Sequence, residues 1–107
     1  MSRLYNVLNA IMDRTVDTMT TTNAVIDIGT ISAGASKSGS LDVNIPTGYK
    51  FFGTIPISAS SGLIVISNYV STGAPTGKQR VNATVHNQKS ASQSDVTATI
   101  RVLFIKD

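Results

Sequence analysis

The last eleven residues of the chain, Asp95-Val-Thr-Ala-Thr-Ile-Arg-Val-Leu-Phe-Ile105, constrain its fold more than any other stretch. Side chains alternate across an extended strand, so Val96, Ala98, Ile100, Val102 and Phe104 share one face. Asp95, Thr97, Thr99 and Arg101 share the other, which turns apolar at Leu103 and Ile105. The pattern predicts a strand that starts half-solvated and ends buried on both faces. Such a strand has to be covered by something on its outer side.

Composition points the same way. Serine and threonine make up 26 of 107 residues and glutamate is absent. The Glu/Lys pairing that covers the surfaces of soluble helices is therefore missing, and Ser, Thr and Asn between β-branched residues suit strands and turns. Five earlier segments read as strands: Val25–Ile31, Leu41–Ile45, Tyr49–Ser58, Leu63–Val70 and Arg80–Asn87. The turns between them carry signals of their own in Ser32–Ser38, Pro46-Thr-Gly48, Ser60-Ser-Gly62, the long Ser71–Gly77 loop and Gln88–Ser94. Pro56 marks Tyr49–Ser58 as an edge or bulged strand. Leu63–Val70, apolar on both faces, reads as central. Short alternating strands with no helix between them predict an antiparallel β-sandwich, jelly-roll-like, over residues 24–107. Its expected core includes Val43, Ile45, Val81, Val85, Ile100 and Val102.

Residues 1–23 read differently. From 3 to about 19, Leu4, Tyr5, Leu8, Ile11, Met12 and Met19 fall on one helical arc, with Arg3, Asn6, Asn9, Asp13 and Asp17 opposite. Ser2 suits an N-cap, and Thr20-Thr-Thr-Asn23 ends the helix. The expectation is one short amphipathic α-helix with its linker, preceding the sandwich. Its apolar arc is wide, and an isolated helix of this length is marginal in water, so it needs a partner surface. Leu4, Leu8, Ile11 and Met12, with Leu103 and Ile105, are the expected oligomer contacts. Asn6 and Asn9 interrupt the apolar run and no small-residue cleavage site follows, so no signal peptide is expected. No run approaches a membrane span either.

Chemistry-bearing residues are sparse. With no cysteine, no glutamate and one histidine, His86, no zinc ligand set is present. The six aspartates show neither facing pairs nor a calcium-loop spacing, no Gly-x-Ser-x-Gly elbow occurs, and Gly77-Lys78 leads into a strand rather than a helix. The formal charge of +3 comes from scattered cations, without the clustered face that nucleic acid requires. The residues point to no enzyme, no cofactor, no metal and no nucleic-acid partner.

Four stretches in order, Ile45-Pro-Thr-Gly-Tyr-Lys50, Phe52-Gly-Thr-Ile-Pro-Ile57, Val81-Asn-Ala-Thr-Val-His-Asn87 and Ala98-Thr-Ile-Arg-Val-Leu-Phe-Ile-Lys106, together with Ser2-Arg-Leu-Tyr-Asn-Val-Leu-Asn9, resemble small proteins of tailed-phage and prophage appendages. These are tail-fibre, baseplate and head-fibre proteins. The resemblance implies a homotrimer gathered by its N-terminal helix, a β-sandwich head, other virion proteins as partners and a host cell-surface glycan as a target. It also implies synthesis in the bacterial host cytoplasm and residence in the virion, and it carries over no catalytic residue. The alternative from another class is a non-viral carbohydrate-binding module, against which stand the absence of Trp and the presence of only three tyrosines.

Overall fold

The structure, a computed structural model, describes residues 18–107. Six strands follow one another: β1 (Met19–Ile31), β2 (Ser36–Asn44), β3 (Tyr49–Ala59), β4 (Ile64–Ser71), β5 (Lys78–His86) and β6 (Gln93–Lys106). They form two antiparallel three-stranded sheets, ordered β1-β6-β3 and β2-β5-β4. The sheets stack with β1 against β2 and β3 against β4, which places the two central strands, β6 and β5, across the core. The mainly β, two-sheet architecture predicted from alternation is present, with six strands among the described residues.

The core follows from period-two alternation. Val96, Ala98, Ile100, Val102 and Phe104 of β6 are buried, as are Val81, Ala83 and Val85 of β5. Ala24, Ile26, Ile28 and Ile31 of β1, with Val43 and Leu63, complete it. The step from Ile28 to Ile31 breaks the alternation. Gly29, at φ +95°, lies in a register shift between β1 and β6, and the extra residue returns Ile31 to the inner face. At one end of the sandwich, buried Asn87 ties two loops together. Its Nδ2 donates to the Ile31 carbonyl at 3.0 Å and the Ala91 carbonyl at 2.9 Å, while its Oδ1 accepts from the Lys89 amide at 3.0 Å.

Several expectations need correction. β4 is an edge strand, because β5 is the one that pairs on both sides. Apolar residues on both faces of β4 mean that both faces stay partly exposed rather than both buried. Met19 and Thr20–Asn23, expected as a helix end and a linker, form the first part of β1, paired residue by residue with Ile105 to Arg101. The threonine run accepts the extended backbone that its β-branched side chains favour. Leu103 and Ile105 are half-buried on the outer face of β6, not fully covered. The expected contacts Leu4, Leu8, Ile11 and Met12, and the helix that carries them, lie outside the described residues. β3 is an edge strand with two register shifts, as Pro56 predicted.

Candidate functional site

The densest array of polar side chains covers the outer face of the β2-β5-β4 sheet. β2 and β5 pair without a shift from Ser36↔His86 to Asn44↔Lys78. Alternate residues therefore meet as cross-strand pairs on this face. The Ser36 hydroxyl and the His86 Nδ1 are 3.0 Å apart, and the Ser38 and Thr84 hydroxyls 2.7 Å apart. Ser40 lies opposite Asn82, and Asp42 opposite Arg80. Arg80 donates to both carboxylate oxygens of Asp42, from Nε at 2.8 Å and from the terminal nitrogen at 3.1 Å. That hydrogen bond holds the Asp42 carboxyl below its ordinary pKa of 3.8, against an opposing push from partial desolvation.

β4 extends the same rows on the far side of β5. Tyr69 lies opposite Asn82, and Ser71 opposite Arg80. Asn82 is buried, and its Nδ2 donates to the Tyr69 carbonyl at 3.3 Å and to the Ser71 hydroxyl at 3.1 Å. Tyr69 itself is 48% exposed. The centre of this face thus combines an accessible aromatic ring with a fixed amide, hydroxyls at Ser40 and Ser71, and a paired Arg–Asp. Such groups can stack against one face of a ligand and exchange hydrogen bonds with its hydroxyls.

Ser36 and His86 have the spacing of a nucleophile and its base, but among the described residues no carboxylate hydrogen-bonds the imidazole to orient it. Among the same residues, no group of three His, Asp or Glu side chains could hold a metal ion. Alternation alone puts His86 and Asp42 on solvent-facing sides of their strands; cross-strand register supplies Ser36 to the first and Arg80 to the second. Of the six expected oligomer contacts, Leu103 and Ile105 sit on the outer face of the other sheet, Leu103 between Thr21 and Gly53, Ile105 between Met19 and Lys50.

No family model matches this chain, and no curated protein or solved structure is significantly similar to it.

Proposed function

We propose that the chain is a non-catalytic structural or host-adhesion module of a phage or prophage appendage, of tail-fibre, baseplate or head-fibre type. In this reading it is made in the bacterial host cytoplasm and carried in the virion as a homotrimer. Other virion proteins hold it, and the outer face of β2-β5-β4 meets a glycan of the host surface. The observation that carries the adhesion role is the exposed Tyr69 ring beside Asn82, Ser71 and the Arg80–Asp42 pair. The stretches that resemble appendage proteins support the rest. Pro46-Thr-Gly48 forms the β2–β3 turn, closed by a hydrogen bond from the Tyr49 amide to the Pro46 carbonyl at 3.0 Å. The Val81 and Ala98 stretches are the two central strands.

The test is retention of the labelled full chain on a glycan array and on intact bacterial envelopes. Removing an aromatic platform from a sugar contact costs on the order of 1–3 kcal/mol, by analogy with base stacking on aromatic side chains. Tyr69→Ala should therefore weaken retention about 5- to 150-fold with an unchanged melting temperature. Equal retention by Tyr69→Ala and the parent chain removes this face from the adhesion role. The same face favours the carbohydrate-binding-module reading, which instead expects tight binding of a free saccharide by a single chain.

A further inference from the structure

β3 and β4 are the two outer strands on one side of the sandwich, and neither contributes a single fully buried residue. Their composition makes this unexpected, since between them they carry Phe51, Phe52, Ile55, Ile57, Ile64, Val65, Ile66 and Val70. Six of these large side chains are 44–60% exposed: Phe52, Ile55, Ile57, Ile64, Ile66 and Val70. On the opposite side, β1 and β2 expose only Val25 and Leu41 to a comparable extent among the described residues. A single hydrogen bond of 2.7 Å, from Asn68 Nδ2 to Thr54 Oγ1, spans the two edge strands. Toward the Ser60–Gly62 turn that joins them, a groove of about 480 Å³ opens between the two strands, lined by Pro56, Ile57, Leu63 and Val65 among others.

The register shifts explain how this surface is made. Each places one extra residue in an edge strand, at Phe52 and Ile57 in β3 and at Ile66 in β4. In all three places that residue is a large, exposed hydrophobe. A bulge both re-aims its side chain and interrupts the edge as a template for further strands. The side therefore projects apolar side chains outward while its backbone is unsuited to open-ended strand addition.

We infer that this β3/β4 side is buried against the same side of further copies of this chain, around the axis of a closed homo-oligomer. Area argues for such an occupant. Ile55 lies opposite Arg101 on the outer face of its sheet and Ile64 opposite His86 on the outer face of the other. The side itself is carried by Phe52, Ile57, Ile66 and Val70, which expose on the order of 400 Å² of apolar surface, within the ~300–600 Å² patch of a typical monomer. That is about half of the ~800 Å² that each partner gives to a stable interface. Charge argues for it too. Lys50 is the one charged residue in the two strands, so the side offers little to a charged partner and little repulsion to its own copy. Closed symmetry buries the same side on every copy and leaves no complementary patch to propagate. The inference rests on the homotrimer proposed above and locates its interface along the edge that borders the Tyr69 face, with Ile64 at their shared margin.

Light scattering coupled to size exclusion, on the full chain at tens of micromolar, tests it. The parent and the control Val25→Lys should have three times the 11.3 kDa chain mass. Phe52→Lys with Ile66→Lys should fall to one chain mass with an unchanged far-UV spectrum. Because the chain has no cysteine, Ile66→Cys supplies a lone thiol, and a short bismaleimide should link copies through it at least ~10-fold faster than through Val25→Cys. A double-lysine variant that keeps the parent mass, or equal linking at both thiols, overturns the inference. A single-chain parent also overturns it and leaves the N-terminal segment, or an unrelated apolar partner, as the occupant. A parent dimer that the lysines dissociate upholds the surface and refutes threefold symmetry. Failure of the adhesion role is read separately, from Tyr69→Ala on the glycan array.

Discussion

Gly39 shows how closely the two sheets approach at the β1/β2 side. A Cβ there would fall on the Asp27 carbonyl oxygen and within 3.0 Å of Ile26 Cγ2 and Ile28 Cδ1. The nearest obstacle is backbone and cannot swing away. Gly39→Ala should therefore destabilise the fold by about 1–3 kcal/mol, the range of overpacked interiors. The check is a lower denaturant midpoint with an unchanged slope. Asp42 gives a pH-dependent counterpart. Its native carboxyl, hydrogen-bonded by Arg80, has a pKa below the ordinary 3.8, so the unfolded chain takes up this proton first as pH falls. The pair's stabilisation is complete above the unfolded value and disappears as pH drops through the native one. Asp42→Asn should melt below the parent near neutral pH, with the gap closing below about pH 4. A gap that stays constant into strong acid would mean that the carboxylate charge contributes nothing.

At the scale of elements, alternation made the six strands legible. β6 reads from its five alternating apolar residues, and β5 from Val81, Ala83 and Val85, all of them buried. Pairing was not legible in the same way. The apolar character of Leu63–Val70 suggests a central strand, yet strand order is decided by which neighbours leave room on each side, and β4 lies at an edge. The threonines of Thr20–Asn23 have weak helical preference and suit the end of a helix, but they equally suit the strand that tertiary pairing with β6 extends to Met19. The candidate face was legible only as composition. Arg80, Asn82, Thr84 and His86 are visibly on one side of a strand and Asp42 on the polar side of Leu41–Ile45, whereas Ser36 and Ser38 read as part of a loop and β2 extends through them. Which residue meets which depends on a register set between strands far apart in the chain, and a one-residue slip would change every pair. The bulges at Phe52, Ile57 and Ile66 carried a signal only at the first two, through the neighbouring Gly53 and Pro56.

At the scale of the whole molecule, the two surfaces adjoin along β4, which carries both Ile66 and Tyr69, and their consequences can be combined. In the proposed assembly the apolar β3/β4 side joins copies, while the Tyr69 face, on the outer side of β2-β5-β4, is repeated once per copy. A single face of one aromatic ring and a few hydroxyls binds a saccharide weakly. Several such faces held rigidly together convert later contacts on a glycan-covered envelope into intramolecular ones, and avidity can exceed the single-site affinity by about 10²–10⁴. The double variant Phe52→Lys with Ile66→Lys should therefore bind a free saccharide as the parent does, since neither residue belongs to the polar face. Its retention on intact envelopes should fall about 10²- to 10⁴-fold. Tyr69→Ala should lose both, while keeping the parent mass. Calorimetry with the free saccharide and a surface-retention assay on envelopes separate the two losses. If dissociated chains stay on the envelope as well as the parent, the assembly serves architecture rather than adhesion.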